Sequence, residues 1–72
     1  MVNIDLLKDK IRESGMTVTA ICDKSGIKRQ TLYKRFDNPN FSINEIDSLS
    51  KVLRFSRRDI NDIFFSKKSI KN

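Results

Sequence analysis

The sequence predicts an all-α fold of five short helices. Apolar residues recur at three- and four-residue spacing in five separate segments, which is typical of amphipathic helices. Polar residues suited to N-caps precede these segments, and the two glycines and the one proline fall between them. No stretch alternates apolar and polar residues with period two, so strands are not predicted. The 72 residues suffice for one domain, placed at 1–66, with a polar and basic tail at 67–72.

The first predicted helix covers residues 4–14. Leu7 and Ile11 stand four residues apart on one face of it, which suits burial of that face. Asn3 is a suitable N-cap, because its side-chain oxygen can accept a hydrogen bond from the first turn. Gly15 follows and can adopt the left-handed conformation that commonly ends a helix.

The second predicted helix begins after Thr17 as N-cap and ends near Lys24. Its small and apolar face consists of Ala20, Ile21 and Cys22. Gly26 then marks a sharp turn, because glycine adopts a positive φ without steric cost. Ile27 follows this turn as an apolar residue suited to packing against the core.

The third predicted helix spans about residues 28–36. Leu32 and Phe36 lie four residues apart and are expected to face inward. The other faces of this helix carry polar and basic side chains, namely Lys28, Arg29, Gln30, Thr31, Tyr33, Lys34 and Arg35. A turn cluster at 37–40 follows, and its Pro39 cannot continue a helix.

The fourth and fifth predicted helices begin with the same N-terminal motif, a capping box. Ser42 and Glu45 have the spacing of a capping box, and Ser56 and Asp59 repeat it with a shorter acid. The expected inner stripe of the fourth helix consists of Ile43, Ile46, Leu49 and Leu53. The fifth helix covers about residues 57–65, and its inward side chains are Ile60, Ile63 and Phe64.

The basic residues are concentrated in the third helix. The chain has 15 Lys and Arg against 9 Asp and Glu, a net charge of +6. Residues 28–36 contribute four basic side chains and no acid, whereas residues 1–27 are neutral overall. A solvated helix face is the ordinary explanation of such a run. The overall balance nevertheless favours an anionic partner, with nucleic acid ahead of a membrane or an acidic protein.

The composition argues against most catalytic and metal sites. The chain has no His and only one cysteine, Cys22, so an internal disulfide and a His-dependent catalytic triad are impossible. A zinc site would have to use carboxylates alone, which zinc sites rarely do. No apolar run approaches the roughly 20 residues of a membrane span. We therefore expect a cytoplasmic, non-enzymatic binding protein without cofactor, metal, membrane contact or small-molecule substrate.

The third helix also contains side chains suited to reading bases. Arg29 matches the acceptors of guanine, and Gln30 matches adenine. Both lie in the first turn, which is the end that a recognition helix inserts into the major groove. The hydroxyls of Thr31 and Tyr33 can reach phosphate oxygens.

Residues 17–36 resemble the helix-turn-helix of the lambda-repressor/Cro-like family, also called XRE-type. The matching residues are Thr17, Cys22, Gly26, Ile27, Thr31 and Leu32. The resemblance continues through residues 38–43 and the fourth helix, and it covers roughly residues 4–65. It implies a compact five-helix lambda-repressor-like DNA-binding domain, with helices 2 and 3 forming the helix-turn-helix. It further implies a regulator of a phage lysis/lysogeny switch in the cytoplasm of a bacterial host cell.

The resemblance also implies a set of DNA contacts. The base-reading positions of the family fall on Lys28, Arg29, Gln30 and Lys34. Phosphate contacts are expected at Thr17, Thr31, Tyr33, Arg35, Asn38, Asn40 and Ser42. Relatives usually bind two-fold operators as dimers. No obvious dimerisation element is present in the sequence, so a homodimer on DNA and a monomer both stay open.

Three positions depart from the family pattern, and one of them, Val18, favours an alternative function. Val18 stands where the family often places a phosphate-gripping Gln, Arg35 stands at a frequently apolar place, and Arg54 stands where glycine often ends the fourth helix. The alternative is a modulator of repression, or antirepressor, that binds the cognate phage repressor through the same surface and alters or blocks its DNA binding. The expected partner contacts are then Met16, Val18, Tyr33 and Phe65.

Overall fold

The computed structural model describes residues 1–66 and contains five α-helices there. These are α1 (Ile4–Ser14), α2 (Val18–Ser25), α3 (Arg29–Asp37), α4 (Ile43–Leu53) and α5 (Arg57–Phe64). The predicted all-α fold with five helices is confirmed, and no strand occurs within residues 1–66. The expected basic tail, 67–72, lies outside the described residues.

Four helix ends differ from the sequence prediction by one residue, namely the end of α2, both ends of α3 and the end of α5. Lys28 has an extended conformation, with φ −69° and ψ 145°, so it is the N-cap of α3 and the helix begins at Arg29. Phe65 leaves the helical region at the other end of the fold, so α5 ends at Phe64. Differences of this size are normal at helix termini.

The N-terminal caps form as the sequence predicts. At four helices the side-chain oxygen of the N-cap residue accepts a hydrogen bond from a backbone N–H of the first turn. These N-cap residues are Asn3, Thr17, Ser42 and Ser56. The reciprocal carboxylate of the capping box is present at Glu45 and at Asp59. Each such cap stabilises a helix by about 1 kcal/mol. In α3 the N-cap residue makes no such side-chain bond.

Three helices end at a residue with positive φ. Gly15 (φ 74°) ends α1, Gly26 (φ 79°) ends α2 and Arg54 (φ 58°) ends α4. Glycine adopts this left-handed conformation freely, whereas a residue with a Cβ is strained in it. Arg54 therefore takes the position and the conformation in which a glycine is the natural choice.

The centre of the molecule receives one fully buried side chain from each helix. These side chains are Leu7, Ile21, Leu32, Leu49 and Ile63, and each has 0% exposure. Ile11, Cys22 and Phe64 complete the buried cluster. Because no helix here is long enough to be stable alone in water, this shared core is what holds all five in place.

One residue of the predicted inner stripe of α4 lies outside the core. Ile43 is 73% exposed, whereas Leu49, on the expected face, is fully buried. Ile43 is the first residue of α4. Side chains of a helix lean towards its N-terminus, so this one projects past the end of the helix and away from the core. The prediction that Ile43 faces inward was therefore wrong.

The two ends of the described chain are hydrogen-bonded to each other. The Asn3 N–H donates to the Ile63 carbonyl at 2.6 Å, and the Ser66 N–H donates to the Met1 carbonyl at 3.1 Å. These bonds fix the end of α5 beside the start of α1. No helix within residues 1–66 combines the length and the apolar character that crossing a bilayer requires.

Candidate nucleic-acid interface

The turn between α2 and α3 directs α3 across the molecule. Gly26 reverses the chain with its positive φ, and the Ser25 hydroxyl accepts a hydrogen bond from the Ile27 N–H at 3.2 Å. Leu32 is the buried residue of α3, and Phe36 packs half-buried beside the core one turn later. Most of the α3 circumference is left facing solvent as a result.

Four predicted contact residues line one open groove on the outer side of α3. These are Arg29, Gln30, Tyr33 and Lys34, and Asp37 lines the same groove one turn further on. Their spacing of one, three and four residues places them on neighbouring positions of the helix. We call these five residues the α3 surface. It combines two cations, an amide and an aromatic ring with one carboxylate.

Lys28 lies beside the α3 surface and not on it. It lines a second groove, between the α2–α3 turn and α4, together with Gly26, Thr31 and Asn44. The structure therefore divides the four expected base-reading residues, because three are on the α3 surface and Lys28 is at its N-terminal border. Lys28 remains exposed there.

Arg29 is oriented by a residue that the sequence analysis missed. Its Nη1 donates a hydrogen bond to Oγ1 of Thr19 at 3.1 Å. Thr19 belongs to α2 and lies ten positions earlier in the chain. No local spacing rule connects two residues so far apart, so only the packing of α2 against α3 reveals the pair.

Tyr33 is 52% exposed, and its ring is held by Phe36. The two rings meet edge to face, with centroids 5.8 Å apart and planes at 84°. Such pairs contribute about 0.5–1.5 kcal/mol beyond area burial. The Phe36 ring is also contacted by Lys8 of α1, whose Nζ lies 5.5 Å from the ring centroid. The sequence analysis assigned no role to Lys8.

Arg35, one of the expected phosphate contacts, forms an ion pair with an acidic side chain. Its Nε donates to Glu45 Oε1 at 3.0 Å, and its Nη2 donates to Glu45 Oε2 at 3.3 Å. The two side chains are only 27% and 17% exposed. The hydrogen bond from Arg35 is the main cause that lowers the pKa of Glu45, and the N–H of Ser42 lowers it further. The guanidinium charge is thus compensated within the protein.

This ion pair also accounts for the half-buried position of an arginine on α3. Glu45 provides the partner from the first turn of α4. The pair joins α3 to α4 across the intervening loop. A bidentate arginine–carboxylate contact fixes the relative orientation of the two side chains as well as the distance between them. Spacing alone did not indicate it, because the partners are ten residues apart.

The loop between α3 and α4 presents three expected phosphate contacts. Asn38, Asn40 and Ser42 are all exposed. The Asn38 N–H donates to the Lys34 carbonyl at 2.8 Å, and the Asn40 N–H donates to the Asn38 carbonyl at 2.7 Å. The Phe41 ring meets that of Phe64 edge to face, with centroids 5.3 Å apart. The loop is therefore anchored to the core while its polar side chains face solvent.

The remaining expected contacts lie in different environments. Thr17 is exposed, and its hydroxyl already accepts the N–H of Ala20 as the N-cap of α2. Met16 and Val18 are half-buried against the core, which leaves little free apolar surface at either residue. Phe65 is 50% exposed and lines a groove of the α1 and α5 ends, separate from the α3 surface.

The four expected partner-contact residues therefore do not share one groove, since only Tyr33 lies on the α3 surface. Within residues 1–66, no three His, Cys, Asp or Glu side chains converge on a point that could hold a metal ion. The chemistry available at the α3 surface is hydrogen bonding and charge pairing. Comparison of the chain with protein-family models, curated proteins and solved structures gives no match.

Proposed function

We propose that this protein binds duplex DNA sequence-specifically, with α3 in the major groove. The observation that carries the proposal is the α3 surface, where Arg29, Gln30 and Lys34 are exposed side by side on one helix. The major groove is about 12 Å wide and admits an α-helix. The nine residues of α3 span about 13 Å, which suits several successive base pairs.

Each residue of the α3 surface has a role in this proposal. Arg29 donates two hydrogen bonds to O6 and N7 of a guanine, and Gln30 pairs with N6 and N7 of an adenine. Lys34, one turn later, contacts a further base edge. Lys28 borders the groove and adds positive charge. Asn38, Asn40 and Ser42 of the exposed loop bind phosphates with the hydroxyls of Thr17, Thr31 and Tyr33.

We further propose that α2 and α3 form a helix-turn-helix of the lambda-repressor-like type, and that the protein regulates transcription in a phage lysis/lysogeny switch. The Thr17 N-cap, the positive φ of Gly26 and the burial of Leu32 support this assignment. The left-handed Arg54 supports it too, because it ends α4 where the family that the chain resembles often has glycine.

Selection of duplexes from a random-sequence library tests DNA binding. We expect a preferred sequence, whose association constant falls with salt on logarithmic axes with a slope of about −4 to −5. Arg29→Ala should weaken binding to that duplex by about 1–3 kcal/mol and relax the preference at one base pair. Arg58→Ala removes the same charge from exposed α5 and should leave the base preference unchanged. Absence of any sequence preference at low salt would rule the proposal out.

A second candidate is the binding of a cognate phage repressor through the α3 surface. The half-exposed ring of Tyr33 favours it, because aromatic side chains are enriched at protein interfaces. The protein would then act as a modulator of repression. Co-elution with the repressor encoded beside its gene tests this candidate. We expect a complex that Tyr33→Ser weakens, and no complex at micromolar concentrations would exclude it.

A further inference from the structure

The ring of Phe36 connects α1 to the α3 surface. The ring contacts that of Tyr33, with centroids 5.8 Å apart, and the ammonium group of Lys8 lies over it at 5.5 Å from the centroid. A cation above an aromatic face at this distance is attracted by the ring quadrupole. The contact holds a flexible lysine beside the α3 surface, although Lys8 lies more than twenty residues earlier in the chain.

Among residues 1–66, Lys8 has no acidic partner, unlike Lys10 and Arg35. It is exposed and forms no ion pair with any residue that the structure describes. Lys10, two positions later, pairs with Asp59 at 3.5 Å. A two-residue step turns a helix by about 200°, so Lys8 and Lys10 point to opposite sides of α1. Arg35, the expected phosphate contact of α3, is bound by Glu45.

We propose that Lys8 is a phosphate contact of the α3 surface and that Arg35 is not one. The proposal rests on the DNA binding proposed above. Two successive contacts of 5.5 and 5.8 Å place the ammonium group of Lys8 within about 11 Å of the Tyr33 ring centroid. With α3 in the groove, an ammonium group held this close to Tyr33 is within reach of the sugar-phosphate backbone, where it binds a phosphate oxygen as a compact charge.

The experiment compares the salt dependence of DNA binding among four proteins: the wild type, Lys8→Gln, Lys10→Gln and Arg35→Gln. The probes are the duplex selected by the wild-type chain and an unrelated duplex of equal length. Lys8→Gln should make the slope shallower by about 1 on both duplexes, because a phosphate contact carries no sequence information. The ratio of the wild-type association constant to that of Lys8→Gln should accordingly fall about eightfold for each tenfold rise in salt.

Lys10→Gln and Arg35→Gln should leave the slope unchanged. Arg35→Gln removes the same charge from α3 itself, so it is the matched control for general electrostatics. Lys8→Arg keeps a cation over Phe36 and should restore the wild-type slope. A loss of folding alone lowers the active fraction without changing the slope, and circular dichroism of each variant checks it.

Three outcomes would overturn the proposal. If Lys8→Gln keeps the wild-type slope while the wild type binds its selected duplex, the inference fails and the proposed function stands. If Arg35→Gln makes the slope shallower, Arg35 is itself a phosphate contact and the proposal fails. If the wild type binds no duplex, the proposed function fails and the role of Lys8 fails with it. Weaker binding of an acidic protein by Lys8→Gln would then assign this lysine to a protein interface.

Discussion

At the scale of single residues, the structure contains one strained cap. Arg54 has φ 58° and ψ 46°, and it is the only non-glycine residue with positive φ within residues 1–66. Its backbone N–H still donates to the Ser50 carbonyl, so the end of α4 is hydrogen-bonded despite the strain. The left-handed conformation costs a residue with a Cβ roughly 1–2 kcal/mol.

Arg54→Gly should therefore stabilise the fold. The relief of strain is partly offset by the larger conformational entropy of glycine in the unfolded chain, which costs about 0.4–1 kcal/mol. We expect a net gain of about 0.5–1 kcal/mol in the free energy of unfolding, measured by urea denaturation. Lys34→Gly, at an exposed position within α3, is the opposite control and should destabilise by about 0.5–1 kcal/mol. A destabilising Arg54→Gly would show that the arginine side chain makes a contact that outweighs the strain.

At the scale of secondary-structure elements, Glu45 connects α3 to α4. Its carboxylate accepts hydrogen bonds from Arg35 and from the Ser42 N–H, at 2.9–3.3 Å. One side chain thus completes the capping box of α4 and fixes the second half of α3. Because Asn38, Asn40 and Ser42 lie between these two helices, Glu45 also fixes both ends of the loop that presents them.

Glu45 should give the fold a stability that depends on pH. Its pKa lies below the usual 4.5, mainly because of the Arg35 hydrogen bond, so its contribution is complete above pH 4.5. As the pH falls through the lowered pKa, the carboxylate is protonated and that contribution is lost. Glu45→Gln should lower the free energy of unfolding by about 1 kcal/mol at pH 7.

Urea denaturation at pH 7 and near pH 3 measures this effect. The difference between the wild type and Glu45→Gln should shrink at the lower pH, because the wild type then loses the charge that the variant lacks. Asp59 also has a lowered pKa, caused mainly by the Ser56 N–H, so the variant keeps some acid sensitivity. A difference that is equal at both pH values would contradict the assignment to the Glu45 charge.

At the scale of the whole molecule, the way in which α3 joins the core leaves the α3 surface exposed. Every helix contributes one fully buried side chain, and α3 contributes only Leu32. Leu32, the half-buried Phe36, the Arg35–Glu45 ion pair and the Arg29–Thr19 hydrogen bond attach α3 and leave the rest of its surface exposed. α2 packs directly against α3, and α4 packs against α2 and is joined to α3 by Glu45.

Two residues of α4 with side chains of equal size should differ sharply in their contribution to stability, because only one of them lies in the core. Leu49→Ala should lower the free energy of unfolding by about 2–5 kcal/mol, because a fully buried side chain leaves a cavity. Ile43→Ala, at a 73% exposed site of the same helix, should change it by less than about 0.5 kcal/mol. Thermal or urea denaturation measures both. Similar losses at the two positions would mean that Ile43 is covered in solution.

The five helices follow from local signals, because caps, glycines and apolar spacing each act within about one turn. The sequence also predicted that the exposed basic side chains of residues 28–36 would gather on one helix. The three-dimensional packing alone decided which of those charges stay free. Glu45 compensates Arg35, Thr19 orients Arg29, and Phe36 brings Lys8 beside them. Each of these contacts joins residues ten or more positions apart, and only the relative placement of whole helices brings such residues within bonding distance.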